Sequence, residues 1–230
     1  MSMKPREILE HSLLFGSLPD QELDQLAGLA QIRAIPRQTL LFSQGDPGDA
    51  LYGIASGKVL VYITAEDGKE FSLTVLETGD VLGEVALLDG RPRTAAARTM
   101  EDCQLLVIQR SHFEQLMDDH PKLARDLLTL LCDRLRWSSQ LIEEFSLMPV
   151  EGRLARRLLT LAELLGKTSS AGVQLTISQS ELAQFLGISR QIVNQYLQEW
   201  RQAGWLELAR GKVIILDWDA IHQVCFQSSR

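Results

Sequence analysis

The chain has 230 residues, 45 % of them hydrophobic and 23 % charged, with a formal net charge of −7. That length accommodates two domains with buried cores, and the composition is globular rather than disordered. The acidic balance, taken whole, argues against nucleic acid as a partner. Three scattered cysteines, Cys103, Cys132 and Cys225, argue against a disulfide framework and a four-thiolate iron–sulfur cluster, and His11, His112, His120 and His222 have no metal-ligand spacing. No segment has the length and apolarity of a membrane span. Residues 1–7 lead into an amphipathic pattern without the apolar core or cleavage site of a signal peptide, so a cytoplasmic protein with no membrane partner is expected.

Along the chain, Ile8, Leu9, Leu13 and Leu14 fall at helical spacing, and 19–22 (Pro-Asp-Gln-Glu) opens a second helix through Leu23, Leu26 and Leu29. From residue 32 to about 108 the period changes. Short apolar runs at 39–42, 51–54, 59–63, 72–76 and 105–108 alternate with Gly, Pro and Asp turns, which predicts an antiparallel sandwich or roll. The Asp67-Gly68 pair marks a hairpin between two of the runs.

Inside this region, residues 83–95 (Gly-Glu-Val-Ala-Leu-Leu-Asp-Gly-Arg-Pro-Arg-Thr-Ala) set an acid and an arginine in an otherwise apolar, turn-rich segment. A short helical turn opening at Gly83 would offer free backbone N–H groups, and Arg93 would supply a planar fork matched to a phosphodiester. Glu84 cannot bind phosphate. It makes sense beside one only by accepting hydrogen bonds from hydroxyls, and the ribose of a cyclic nucleotide carries such a hydroxyl next to its phosphate. The competing reading is a hairpin with a Glu84–Arg93 salt bridge.

Ser111 is expected to cap a helix through Met117, and Pro121 to start a longer one reaching Leu147. In that helix Ala124, Leu128, Leu131, Leu135, Ser138, Ile142 and Phe145 alternate steps of four and three, the seam of a two-stranded coiled coil, so a homodimer is expected. A single amphipathic helix lying on its own domain is the alternative. Ser138 and Ser139 interrupt the seam, either as polar residues that set its register or as contacts to a ligand.

After a hinge near 148–150, a helix from Arg153 to Leu165 and a loop at 166–172 lead to 179–197. There Ala183 permits close helix approach, Gly187 turns the chain, and Val193 packs a second helix on the first, with Leu182, Leu186, Ile188 and Leu197 completing the buried face. Ser189 is the expected N-cap of the second helix. Its outer face carries Arg190, Gln191, Asn194 and Gln195, all able to hydrogen-bond to base edges, while Gln179 and Ser180 on the first helix suit phosphate contacts. Residues 205–216 read as a winged hairpin with Arg210 and Lys212 at its tip. Charge follows this division: residues 1–118 carry −8, 119–147 carry −1 and 148–230 carry +2. Double-stranded DNA is therefore the expected partner of the C-terminal end, against a winged helix that binds protein.

The Gly-Glu … Arg-Thr-Ala cassette, the turns at 45–52 (Gly-Asp-Pro-Gly-Asp-Ala-Leu-Tyr) and 56–59 (Ser-Gly-Lys-Val), and the helix-turn-helix resemble, over about residues 8–220, the Crp/Fnr family of bacterial transcription regulators. The resemblance implies an α+β chain: a cyclic-nucleotide-binding β-roll at 1–120, a dimerisation helix at 121–147 and a winged helix-turn-helix at 148–230. It implies a ligand pocket of Leu73, Thr74, Gly83, Glu84, Val85, Arg93, Thr94, Ala95, Arg134, Ser138 and Ser139, in which the two serines stand where a cAMP-binding member has a Thr-Ser pair. The implied allosteric ligand is cAMP, with no prosthetic group and no catalysis, and RNA polymerase is an implied partner. Gln191 and Gln195 stand where the family's cAMP receptor carries charged residues, so a different operator preference is expected.

Three other readings remain open on the residues, and a fourth is rejected. Thr94 could meet a guanine amino group, which would favour cGMP. The pocket could be degenerate, with constitutive DNA binding. His112 or Cys103 could ligate a haem. A hydrolase using Glu84 as base has no second acid, metal triad or nucleophile beside it.

Overall fold

The computed structural model describes residues 4–12, 14–16, 18–119 and 121–227. Leu13, expected in the first helix, lies outside the described residues. The chain divides into two compact units, Met1–Leu135 and Arg136–Arg230, so the break falls inside the expected dimerisation helix.

In the first unit, helices α1 (Pro5–Glu10) and α2 (Asp20–Leu29) precede strands β1 (Gln31–Ile35), β2 (Leu40–Phe42), β3 (Ala50–Ser56), β4 (Val59–Thr64), β5 (Glu70–Leu76) and β6 (Val81–Leu82). Helix α3 (Glu84–Asp89), strands β7 (Ala96–Thr99) and β8 (Cys103–Gln109), helix α4 (Arg110–Asp119) and the start of α5 (Pro121–Leu147) follow. The strands form two antiparallel four-stranded sheets, ordered β1-β8-β3-β6 and β2-β7-β4-β5.

Strands β3 and β8 are buried almost throughout because both their faces are covered. Leu51, Ala55, Leu106 and Ile108 pack with Leu9, Leu26, Phe113, Leu123 and Leu127 from the helices and with Phe15 from the turn between α1 and α2. Ile54, Cys103 and Leu105 turn the other way, into a core with Val59, Leu76, Leu82 and Ala97. This period-2 split gives each strand a share in two cores. The hairpin joining β4 and β5 carries Gly68 at φ 80°, as the Asp-Gly pair predicts.

One expected cap is corrected. Helix α4 begins at Arg110, and Ser111 lies inside it, because the Arg110 N–H donates to Asp49 O (2.8 Å) and anchors the helix start on the 45–49 turn.

In the second unit, α6 (Val150–Leu165) is followed by β9 (Lys167–Ser169) and β10 (Gly172–Leu175), where a loop was expected. These strands exist because β10 pairs with the wing, Val173 opposite Ile215, a partner remote in sequence. Helices α7 (Gln179–Leu186) and α8 (Arg190–Gln202), strands β11 (Leu206–Ala209) and β12 (Lys212–Ile215), and α9 (Trp218–Gln227) complete a sheet ordered β11-β12-β10-β9 and a helical core of Leu154, Leu158, Leu182, Leu186, Val193, Leu197, Trp200 and Ile221.

Candidate nucleotide pocket and DNA-reading surface

Gly83 is the N-cap of α3 and adopts φ 86°, a left-handed conformation that other residues enter only at a cost. A Cβ there would collide with Arg93 Nη1 and lie 3.2 Å from Ala50 O, so glycine also permits the guanidinium to lie against the backbone. Arg93 is 3 % exposed. Its Nη1 donates to Gly83 O (2.8 Å) and its Nη2 to Ala50 O (2.7 Å), with the exposed Asp49 carboxylate 3.9 Å away. The ring centroid of Phe42 lies 4.3 Å from the guanidinium carbon and that of Tyr52 lies 5.9 Å away. Burial pushes the Arg93 pKa down and that of Tyr52 up. Among the described residues Arg93 Nε is buried without a hydrogen-bond partner.

Glu84 is 5 % exposed, and its ionic partner is Arg134, whose Nε lies 3.5 Å from Glu84 Oε1. Arg134 Nη2 also donates to Val81 O (2.9 Å). The Glu84–Arg93 hairpin salt bridge is therefore replaced by two separate arrangements: Arg93 on backbone carbonyls and Glu84 on α5. Gly83, Glu84, Arg93 and Arg134 are brought together by these contacts. Val85 is half-buried, Ala95 buried and Thr94 exposed. Leu73 and Thr74 are half-buried on β5, where Thr74 pairs with Val61. Ser138 is half-buried and Ser139 exposed on α5, within the second compact unit.

Sequence reasoning missed Arg110. Its Nε donates to Gly48 O (3.1 Å), and its Nη2 donates to Gly48 O and to Ala86 O (2.7 Å), stapling the 45–49 turn to the carbonyls of α3. A Cβ at Gly48 would collide with Ala86, so the turn sits directly on the cassette. The backbone pairs Gly45 N to Arg93 O (2.9 Å) and Arg93 N to Asp46 O (2.8 Å) close the same junction. An arginine after an apolar run gives no sequence signal for this role. Cys103 is buried with its thiol donating to Glu101 O (3.2 Å), and burial pushes its pKa up, which disfavours the thiolate a haem iron would need.

The helix-turn-helix forms as its caps dictate. Ser178 accepts from Glu181 N (3.2 Å) while Glu181 Oε2 accepts from Ser178 N (2.7 Å), a capping box that opens α7. Gly187 closes α7 at φ 62°, and Ser189 caps α8 by accepting from Ile192 N (3.4 Å). Arg190, Gln191 and Gln195 are exposed. Asn194 is half-buried, and its Oδ1 accepts from Gln179 Nε2 (2.9 Å), so two expected DNA contacts hold each other and tie α8 to α7. Gln195 Nε2 donates to Glu199 Oε1 (3.0 Å). The wing turns at Gly211, φ 70°, with Arg210 and Lys212 exposed beside it. Between wing and helices lies a groove of about 280 Å³ whose lining includes Gln179, Ser180, Arg190, Arg210 and Lys212. Three cations in one groove suit a phosphate backbone.

Residues 32–120 match the cyclic nucleotide-binding domain and residues 152–224 the Crp-like helix-turn-helix domain. Fold and site together define a transcription regulator that joins a nucleotide-binding roll to a DNA-binding domain, rather than an enzyme. The chain belongs to the CRP/FNR family. It is 33 % identical over 213 residues to the CRP-like cAMP-activated global transcriptional regulator of Mycobacterium tuberculosis, covering 92 % of this chain and 95 % of that one. It is 33 % identical over 218 residues to the cyclic AMP receptor protein of Thermus thermophilus, covering 95 % and 99 %. The solved structure of the c-di-GMP-responsive global regulator CLP of Xanthomonas campestris superposes with a TM-score of 0.77 at 25 % identity, over 86 % of this chain and 99 % of that one. Among the described residues no helix is long and apolar enough to cross a membrane.

Proposed function

We propose that this chain acts as a homodimer whose affinity for operator DNA rises when cAMP fills the pocket of Gly83, Glu84, Arg93 and Arg134. The observation that carries the reading is Arg93: a buried cation beside the start of α3, with one donor unpaired. A cyclic phosphate supplies the missing acceptor, and the adjoining ribose hydroxyl can donate to Glu84. Two relatives at 33 % identity are described as cAMP-activated and as a cyclic AMP receptor, which favours cAMP over cGMP.

The dimer reading rests on α5. Leu128, Leu135 and Ile142 are 62 %, 67 % and 67 % exposed, and all three fall on the expected seam. An apolar stripe of that length is stable in water when a second copy covers it. Allostery requires the ligand to bind one arrangement of the dimer better than the other, and Ser138 and Ser139 on the seam are the contacts assigned to that difference. In the favoured arrangement two α8 helices enter successive major grooves, about 34 Å apart, on a two-fold symmetric site. Gln191 and Gln195 then set base preference, Ser180, Ser189, Arg190, Arg210 and Lys212 hold phosphates, and RNA polymerase is the partner recruited.

Calorimetric titration of the chain with cAMP, cGMP and c-di-GMP tests the ligand assignment. One cAMP per protomer, bound at least about tenfold (about 1.4 kcal/mol) more tightly than the other two, is the expected result. Tighter binding of c-di-GMP, the effector named for the Xanthomonas regulator, would transfer the assignment to that ligand.

A further inference from the structure

Helices α5 and α6 enclose a cavity of about 200 Å³ within the second compact unit, lined by Trp137, Leu141 and Glu144 of α5 and Arg156 and Arg157 of α6. Its charges do not cancel. Arg156 Nη1 pairs with Glu144 Oε1 at 3.0 Å, which leaves Arg157 as the uncompensated cation. Among the described residues Arg157 has no hydrogen bond or ion pair; its guanidinium lies 5.6 Å from the Phe185 ring centroid. Burial pushes its pKa down, only partly offset by Glu144. Arg157 is half-buried, and a partly desolvated arginine that lines a cavity without a paired anion suits a ligand that supplies the missing charge.

We propose that this cavity is a second ligand site, for a small monoanion with an apolar body: an aromatic or branched aliphatic carboxylate. The carboxylate neutralises the single net positive charge by lying against the Arg157 fork, and the apolar body packs on Trp137 and Leu141. The volume is below the range of about 300–1,000 Å³ typical of sites for drug-sized ligands, so the occupant is smaller than a nucleotide. The site shares no residue with the pocket around Arg93. On α5, Trp137 and Glu144 lie about a third of a turn round the helix from Ser138, Ile142 and Phe145, while Leu141 flanks that seam.

Titration calorimetry of the full chain with sodium benzoate, benzyl alcohol and inorganic phosphate tests the proposal. Benzoate should bind one per protomer with a Kd of about 1 mM or tighter. It should bind about tenfold or more weakly to Arg157→Met, and equally well to Arg93→Leu. Benzyl alcohol, which lacks the charge, should bind at least about tenfold more weakly than benzoate to the wild type. If Arg157→Met does not fold, Arg157→Lys keeps the charge without the planar fork and should weaken benzoate in the same direction. Absence of saturable benzoate binding, or equal affinity in the wild type and the Arg157 variant, would overturn the site. Phosphate or benzyl alcohol binding as tightly as benzoate would overturn its assignment to an apolar carboxylate.

Discussion

Replacing Arg93 with leucine separates its structural role, on the carbonyls of Gly83 and Ala50, from the phosphate role proposed for it. In the free protein two of its nitrogens already donate to Gly83 O and Ala50 O, so an arriving phosphate does not find an empty fork. What it gains without breaking anything is the buried Nε, which has no partner. A charge-assisted hydrogen bond is worth about 1.5–3 kcal/mol, or roughly a tenfold to hundredfold change in affinity, and we expect Arg93→Leu to lose that much. A wholly free bidentate fork, with two such bonds, would cost about 3–6 kcal/mol. The same substitution strands two carbonyls but removes a desolvated cation; these oppose each other, and unfolding free energy should fall by about 1–2 kcal/mol at most. Calorimetric titration with cAMP, paired with urea denaturation without ligand, reads both quantities. Wild-type cAMP affinity in a folded Arg93→Leu protein would refute the phosphate role.

Ser138→Ala and Ser139→Ala should each cost less than about tenfold in cAMP affinity while abolishing most of the cAMP-dependent gain in DNA binding; full retention of that gain would reduce the serines to packing residues. Lys212→Ala should weaken binding to all DNA sequences alike and reduce the slope of log affinity against log salt by about one. Gln191→Glu should instead change the sequences enriched from a random pool, and an unchanged selection would remove α8 as the reading helix. Asp80 tests the electrostatics beneath the pocket. Burial pushes its carboxyl up, against the opposing hydrogen bond from Glu77 N (2.9 Å) and the charge of Arg134, so between the unfolded and folded values the folded state holds a proton that the unfolded state has released. Stability should therefore decrease as pH rises from about 4 through the raised folded value, and Asp80→Asn should flatten that decline in urea titrations at successive pH values.

Much of the geometry of the candidate nucleotide site was legible because it needs particular residues. Only glycine fits at Gly83, where φ is 86° and an arginine lies against the backbone, and a Gly-Glu … Arg cassette states that constraint in one dimension. The helix-turn-helix was legible for the same reason: Gly187 at φ 62° and the Ser189 cap are local demands on local residues. What escaped depends on remote partners. Strand β10 pairs with the wing some forty residues on and β9 pairs in turn with β10, so 166–172 alone looks like a loop. Arg110 acts through carbonyls contributed by Gly48 and Ala86, and the Gln179–Asn194 bond joins two side chains whose pairing with each other their types do not announce. Donor and acceptor inventories name what a side chain can bond to, and tertiary placement decides which partner is present.

In the proposed function the nucleotide controls binding to DNA. The most direct test is the affinity of the full chain for its selected two-fold symmetric site, measured by fluorescence anisotropy at one fixed salt concentration with and without saturating cAMP. A coupling of about 1–3 kcal/mol predicts a gain of roughly fivefold to 150-fold with cAMP, lost in Arg93→Leu. Equal DNA affinity with and without cAMP, in protein that demonstrably binds the nucleotide, would contradict the account.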